Sequence, residues 1–261
     1  MSAEMQSLGQ ELQSLLRLAA PPIGIAFRAD SGAEAAPRYQ SNPPPPTADG
    51  RTGAVPAGCF FWFKAVDRVF STVAEDHANC SVGSYTHGFK TLQEAATKAD
   101  TGALFESGWV TEADVPGIAH VPERPGSIVY GPLSEMPVKP DVVFLRLNAK
   151  QAMVLDDALG RVRFEGKPQC HVVAIAKEEG VPAISVGCML SRVRTGMSNN
   201  ELTCAIPMAK LGEVVEKLRR NASIERTVAA YAAQDAARFS GGATQPAASV
   251  DQVTANPSRV L

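Results

Sequence analysis

The densest group of chemically reactive side chains lies in residues 75–88, which read EDHANCSVGSYTHG. His77, Cys80 and His87 carry imidazole and thiol groups, which bind soft metals and transfer protons. His77 and Cys80 are three residues apart, so one helical turn would place both on the same face. The segment therefore predicts a functional site, with His77, Tyr85 and His87 as the candidate catalytic residues. The same pattern also fits a polar loop whose histidines cap backbone groups and whose cysteine is buried.

Five cysteines are spread over the chain, at positions 59, 80, 170, 188 and 204. An odd set of cysteines in a chain without a secretory signal argues against structural disulfides. Cys204 lies in a predicted strand and is interpreted as a core residue, whereas the other four are either buried small side chains or site residues. Because C-x-x-C and H-E-x-x-H spacings are absent, a metal site would have to be assembled by folding from distant cysteines.

Cys188 has charged surroundings, because Arg192 and Arg194 follow it closely. It comes directly after a predicted strand, and reactive groups are often displayed at strand ends. The two guanidinium groups could lower the pKa of this thiol or bind an anionic substrate or cofactor. Trp62, in the aromatic stretch after Cys59, is a candidate wall of a binding pocket. A buried cysteine beside two solvated arginines is the alternative.

Composition is typical of a soluble globular protein. The 261 residues carry a formal charge of −2 and are 45% hydrophobic, so nucleic acid is not expected as a partner. No run approaches the roughly 18 apolar residues of a membrane-spanning helix. The N-terminal residues lack the basic start and apolar core of a secretory signal, which predicts a cytoplasmic protein with no membrane association. Walker A and G-x-G-x-x-G motifs are absent, so nucleotide cofactors are not indicated.

Strand-like and helix-like patterns alternate along the chain without a clean repeat. This alternation predicts one α/β or α+β domain over residues 1–239, with a mixed sheet and flanking helices. Residues 30–57 are rich in Ala, Gly, Pro and Ser and contain four consecutive prolines, which predicts a mobile surface insertion. Residues 240–261 lack periodicity and are predicted to form a disordered tail.

Individual elements are predicted from periodicity and from capping residues. Asn148 is a strong N-cap candidate, and Gly160 is a natural end for a helix over residues 149–159. The other predicted helices cover residues 4–18, a short aromatic helix beginning at Cys59, 91–107, 168–179, 208–220 and 223–238. The predicted strands cover residues 23–27, 69–73, 127–130, 141–147, 161–164, 183–186 and 201–206.

Several short segments together resemble a known protein family. They are LRLAAPPIGI near the start, CFFW from Cys59, the segment 75–88, VPG from Val115, PDVV from Pro140, QAM from Gln151, GC ending at Cys188, and EL from Glu201 with IP from Ile206. They resemble the domain-of-unknown-function 169 family of bacteria and archaea. The resemblance implies a set of four cysteines, Cys59, Cys80, Cys170 and Cys188, and it implies no established reaction. The family pattern does not require Cys204, and the insertion at residues 33–56 departs from it.

The residues and the resemblance support three hypotheses for function. In the first, an enzyme holds an iron–sulfur cluster or another soft metal centre on the four family cysteines, because a cubane cluster needs four thiolates. It would carry out redox or lyase-type chemistry on a small molecule or with a redox partner, and homo-oligomerisation is left open. In the second, Cys80 or Cys188 is the nucleophile of a metal-free thiol enzyme, with His77 or His87 as the base. The third is a non-catalytic protein that binds a small molecule or a metallo-cofactor.

Overall fold

A mixed β-sheet of seven strands forms the centre of the structure, a computed structural model that describes residues 3–39 and 58–239. The strands are β1 (Ile23–Arg28), β2 (Phe70–Thr72), β3 (Ser127–Pro132), β4 (Val142–Leu147), β5 (Arg163–Glu165), β6 (Ala183–Ser185) and β7 (Leu202–Pro207). Their order in the sheet is β2-β3-β1-β4-β7-β6-β5. Only β5 and β6 pair in parallel, and the other neighbours are antiparallel. The predicted mixed sheet is therefore confirmed, as an α+β domain.

Helices pack against both faces of this sheet. They are α1 (Ala3–Leu16), α2 (Gly58–Lys64), α3 (Ser81–Thr86), α4 (Leu92–Ala96), α5 (Ala99–Glu106), α6 (Ala149–Leu159), α7 (His171–Ala174), α8 (Met189–Thr195) and α9 (Leu211–Phe239). A 3₁₀ turn, Ala74–His77, precedes α3, and a π-helical turn, Ile175–Glu179, continues α7. None of the described helices is both long and apolar enough to cross a membrane.

The strands divide the core into two layers, because successive side chains of a strand point to opposite faces. In β4, Val142 and Phe144 belong to the first layer, while Val143 and Leu145 belong to the second. Helices α2 and α7 contribute to the first layer through side chains such as Phe61, Trp62 and Val172. Helices α1, α6 and α9 contribute to the second through Leu12, Leu155 and Val214. Of the candidate site residues, Cys59, Trp62, Cys80 and Cys170 belong to the first layer.

The helix predicted over residues 149–159 is confirmed at both ends. The Asn148 side chain accepts a hydrogen bond from the Gln151 backbone amide at 2.9 Å, and the Asn148 backbone amide donates one to the Gln151 side-chain oxygen at 2.8 Å. Gly160 ends α6 with φ +66°, a left-handed conformation that glycine adopts at little cost. Local capping chemistry was sufficient to predict this element.

The structure corrects three predicted helices and adds two that were not predicted. The added helices are α8 and α3, and with α3 the segment 75–88 is mostly helical and not the polar loop of the alternative interpretation. Residues 91–107 form two helices, because the extended backbone of Lys98 interrupts them. Residues 208–220 and 223–238 instead form the continuous helix α9, since no glycine or proline separates them.

The beginning of the predicted surface insertion is packed against the sheet. Tyr39 is buried and contacts Phe61 and Phe70, with ring centroids 5.1 and 5.0 Å away. Its amide donates to the Ser71 carbonyl at 2.8 Å. Tyr39 is therefore packed against the sheet, while residues 40–57 and the predicted tail 240–261 lie outside the described residues.

Contacts within the chain divide it into two units, residues 1–221 and 222–261. The sheet and both core layers belong to the first unit. In the second unit, the described residues form the C-terminal part of α9, and Ile224, Val228 and Tyr231 are exposed there. The candidate site lies entirely within the first unit.

Candidate functional site

The four family cysteines share one structural position, the beginning of a short helix. Cys59 is the second residue of α2, and Cys80 is the N-cap of α3. Cys170 and Cys188 occupy the corresponding positions immediately before α7 and α8. All four are buried, with 8–9% of each residue exposed. Neighbouring helices in this group pack on one another, α2 against α3 and α8, and α3 against α7.

Cys80, Cys188 and Cys59 lie close enough to Cys170 to act on it electrostatically. Burial raises the pKa of Cys170 well above its usual value, and negative charge on Cys80, Cys188 and Cys59 raises it further, whereas a hydrogen bond with Thr86 lowers it. The structure thus brings together four cysteines that are distant in sequence. Cys204 lies apart, in the second core layer, where burial alone raises its pKa. Its interpretation as a core residue is confirmed.

His77 is fully buried beside these cysteines, in the 3₁₀ turn that precedes α3. Its Nε2 lies 2.9 Å from the Thr72 hydroxyl, which donates its own hydrogen to the Ile128 carbonyl at 3.3 Å. With its hydrogen on the Ile128 carbonyl, the hydroxyl accepts from His77 Nε2–H, and in that tautomer Nδ1 keeps a lone pair. That buried nitrogen has no hydrogen-bond partner among the described residues. Burial lowers the pKa of His77 well below its usual value, and positive charge on His87 lowers it further.

His87 follows α3 and is also fully buried, with its ring 5.8 Å from that of His77. Its Nδ1 lies 2.9 Å from the Gly83 carbonyl, which can only accept, so Nδ1 carries the hydrogen. Its Nε2 is then an unprotonated nitrogen, and it has no partner among the described residues. Burial lowers the pKa of His87 to about 4, while the bond to Gly83 opposes this shift. Both histidines are therefore neutral at pH 7, and each offers one lone pair.

Two glycines keep the space beside His77 and Cys80 free of side chains. A Cβ atom at Gly58 would lie 3.0 Å from His77 Nδ1, which is tighter than ordinary van der Waals contact. A Cβ atom at Gly83 would lie 3.4 Å from Cys80 Sγ and 3.8 Å from the Gly58 amide nitrogen. Gly58, Gly83, His77 Nδ1 and Cys80 Sγ consequently surround one small region at the start of α2 and α3.

Several further polar groups are buried in the same layer without a hydrogen-bond partner among the described residues. They are the indole nitrogen of Trp62, the hydroxyl of Tyr130 and both ends of the Gln169 amide. Burial raises the pKa of Tyr130 well above its usual value, and charges on Cys170 and Cys59 add to this effect. The Thr72 side chain opposes this rise in the pKa of Tyr130, although no hydrogen bond joins it to the Tyr130 hydroxyl.

Sequence reasoning included Trp62 but missed Tyr130 and Gln169. Tyr130 is embedded in an apolar strand, so its pattern is that of a core residue. The only sequence signal for Gln169 is its position next to Cys170.

Comparison with known proteins was consistent with the segments that resemble a family. The model of the DUF169 family, described as "Uncharacterised ArCR", matches residues 11–217, which is more than half of the chain. The chain belongs to the DUF169 family. No curated protein and no solved structure gave a significant match. The matched region of this DUF169 protein contains all four gathered cysteines and both buried histidines.

In this DUF169 protein, the Arg192 side chain is hydrogen-bonded to backbone carbonyls and does not extend freely toward Cys188. Its guanidinium group donates to the Val186 carbonyl at 2.8 Å, to the Glu201 carbonyl at 3.0 Å and to the Ser198 carbonyl. These bonds connect α8 to the loops on either side of it. Arg194 lies on the same helix, but its side chain is outside the described part of the structure.

Tyr85 lies on α3 but has a partner away from the two buried histidines. Its hydroxyl is 3.1 Å from His120 Nδ1, and the two rings stack with centroids 4.7 Å apart. Tyr85 is only half-buried, and His120 is exposed. Desolvation raises the pKa of Tyr85 above its usual value. Tyr85 therefore lies in a partly exposed environment, whereas His77 and His87 are fully buried.

The spacing of the cysteines differs from that of a site for a single metal ion. Within residues 3–39 and 58–239, no three His, Cys, Asp or Glu side chains are close enough to hold one ion.

Proposed function

We propose that this protein holds an iron–sulfur cluster on Cys59, Cys80, Cys170 and Cys188 and is an enzyme that acts on a small molecule. The observation that carries this proposal is the gathering of these four buried cysteines at the beginnings of four packed helices. Four cysteine thiolates are the usual ligands of a cubane cluster. The fifth cysteine, Cys204, lies in the other core layer, so the gathering is selective.

The unpaired polar groups around the cysteines also support a bound polar group. Trp62, Tyr130 and Gln169 supply N–H and O–H donors, and the sulfurs of a cluster accept hydrogen bonds. An unpaired buried polar atom costs about 1–3 kcal/mol. The four unpaired atoms of these three residues and one on each of the two histidines would together cost on the order of 10 kcal/mol, which approaches the total stability of a typical domain. A bound group that accepts from the donors would reduce this cost.

Held by all four cysteines, the cluster would supply electron transfer. Lewis-acid chemistry of the lyase type would require that only three of the cysteines bind, which would leave one iron open to substrate. The residues of the chain have separate roles in either case. His77 Nδ1 and His87 Nε2 can accept hydrogen bonds from substrate, and each can take up a proton at that atom. Gly58 and Gly83 allow the backbone of α2 and α3 to approach His77 and Cys80 closely.

A metal-free thiol enzyme, with Cys80 or Cys188 as nucleophile and His77 or His87 as base, is the weaker candidate. Reactive thiols are typically partly exposed, whereas these two cysteines are buried, with 8–9% of each residue exposed.

Anaerobic purification with iron, sulfide and visible-absorption analysis tests the proposal. We expect a coloured protein with roughly four iron and four sulfide per chain, either as isolated or after reconstitution. Cys80→Ala and Cys170→Ala should each lose most of the iron, while Cys204→Ala, a matched buried cysteine of the other layer, should retain it. Circular dichroism of each variant separates loss of the cluster from loss of the fold.

Two results would refute the proposal. One is a folded, colourless protein that takes up no iron during reconstitution. The other is equal iron loss in Cys170→Ala and Cys204→Ala when both variants are folded.

A further inference from the structure

A separate cavity opens at the second core layer, between the end of α6, strand β5 and the start of α9. Its volume is about 390 Å³, which is within the range of small-molecule sites. Apolar side chains form much of its wall, among them Val162, Val181, Pro182 and Val214. None of the cysteines or histidines described above contributes to it.

The polar part of the lining is predominantly basic. Four cations, Arg161, Arg163, Lys210 and Lys217, line the cavity together with one carboxylate, Glu213. Two of the cations are already neutralised. Arg163 pairs with Glu165 and with Glu179 at 2.6 Å, and Lys217 pairs with Glu213 at 2.8 Å.

The other two cations remain available for a ligand. Within the described part of the chain, Arg161 and Lys210 form no ion pair and their side chains make no hydrogen bond. Lys210 does act electrostatically on Glu213, whose pKa is lowered mainly by its bond with Lys217. Among the described residues, Arg161 and Lys210 are therefore the two cations of the lining that have no ion-pair partner.

The backbone holds Arg161 in an unusual conformation at the edge of this cavity. Its φ is +86°, in the region that non-glycine residues rarely occupy, and it directly follows Gly160 at φ +66°. The Asp156 carboxylate fixes the turn by accepting from the Val162 amide at 2.6 Å, which directs Val162 into the core. Strain of this kind often accompanies functional positions. Here the backbone conformation places the Arg161 side chain next to the apolar wall of the cavity.

We propose that this cavity binds a small organic anion, with a carboxylate, sulfonate or phosphate group on an apolar body. The anionic group would lie between Arg161 and Lys210, and the apolar body would cover Val162 and Val214. Guanidinium and ammonium groups form charge-assisted hydrogen bonds with such anions. This site is independent of the proposed cluster, since the two share no residue.

Fluorescence titration with anilinonaphthalene sulfonate tests the site, because this probe has one sulfonate on an aromatic body. We expect one probe per chain, displaced by naphthoate. Phenylnaphthylamine has the same body without the charge and should bind at least about tenfold more weakly, a difference of about 1.4 kcal/mol. Inorganic phosphate alone should displace the probe only weakly, since it lacks the apolar body.

Matched variants locate the binding. Arg161→Gln with Lys210→Gln should weaken probe binding at least about tenfold, whereas Lys139→Gln, an exposed lysine away from the cavity, should not change it. Glu213→Gln should tighten binding several-fold, because it removes the only carboxylate of the lining. The inference is overturned if folded wild type and the double variant bind the probe equally. Equal affinity for the charged and uncharged probes would also overturn it.

Discussion

We predict that the folded protein loses stability in mild acid because His87 is buried in its neutral form. Burial lowers the pKa of His87 from 6.5 to about 4 in the folded chain, while the unfolded chain keeps a value of about 6.5. Between these values the unfolded state binds more protons than the folded state, so acid favours unfolding. The stabilising effect is fully present above pH 6.5 and is lost as the pH falls through 4.

The size of the effect follows from the two pKa values. Between pH 7.5 and pH 5, His87 alone should reduce the free energy of unfolding by about 2 kcal/mol. Below pH 4 the loss should approach about 3 kcal/mol, since one pKa unit corresponds to about 1.4 kcal/mol. His77 adds to this loss, because its pKa is lowered in the same direction by burial and by the charge of His87.

Urea unfolding of wild type and His87→Phe at pH 7.5 and pH 5 measures the contribution. Phenylalanine cannot titrate, and it keeps an aromatic ring next to Phe27, whose ring centroid lies 6.1 Å from that of His87. The Gly83 carbonyl would still accept hydrogen bonds from the Thr86 hydroxyl and from the backbone amide of residue 87. The wild type should lose about 2 kcal/mol more than the variant between the two pH values.

The difference between pH values, rather than the stability at one pH, is the informative quantity. His120→Gln is the matched control, because it removes an imidazole from an exposed position. If His87→Phe loses as much stability in acid as the wild type, then His87 is not buried in the neutral form and the reasoning fails.

Two further predictions concern glycines and a helix cap. Gly83→Ala should be neutral or stabilise the protein by up to about 1 kcal/mol through helix propensity, since its new methyl group meets Cys80 Sγ at an ordinary 3.4 Å. Gly58→Ala should destabilise it by about 1 kcal/mol relative to Gly83→Ala, because its methyl group would lie 3.0 Å from His77 Nδ1. Equal stability of the two variants in urea unfolding would contradict the placement of His77. Asn148→Ala should cost about 1 kcal/mol by removing the cap of α6, whereas Asn148→Asp should retain most of the stability. A thermal melt that does not distinguish these two variants would show that the cap contributes nothing.

Local sequence patterns were sufficient where the physical cause of an element is itself local. The cap at Asn148, the left-handed Gly160 and the apolar periodicity between them predicted α6 with the bounds it has. The central strands were predicted because helices cover both faces of the sheet, which leaves short, nearly continuous apolar runs in the sequence.

Short helices were missed because their stability is not local. Helix α3 has six residues, including Gly83, and has little intrinsic tendency to form. It is held by contacts from elsewhere in the chain. The Asp100 carboxylate accepts hydrogen bonds from the Ser81 amide at 2.9 Å and from its hydroxyl at 2.8 Å. The Ser84 hydroxyl donates to the His77 carbonyl at 2.7 Å.

The sequence by itself determined the class of fold, most of the strands and the residues with the chemistry for a site. It could not determine which of those residues meet, because the spacing between cysteines contains no information about how four helices pack. The tertiary structure brings Cys59, Cys80, Cys170 and Cys188 together and leaves Cys204 in the other layer. It also assigns Arg192 to backbone carbonyls and brings Tyr130 and Gln169 into the site's surroundings. Burial is the physical reason for this difference. The segments that bury a residue are distant from it in sequence, and burial determines which polar groups lack a hydrogen-bond partner.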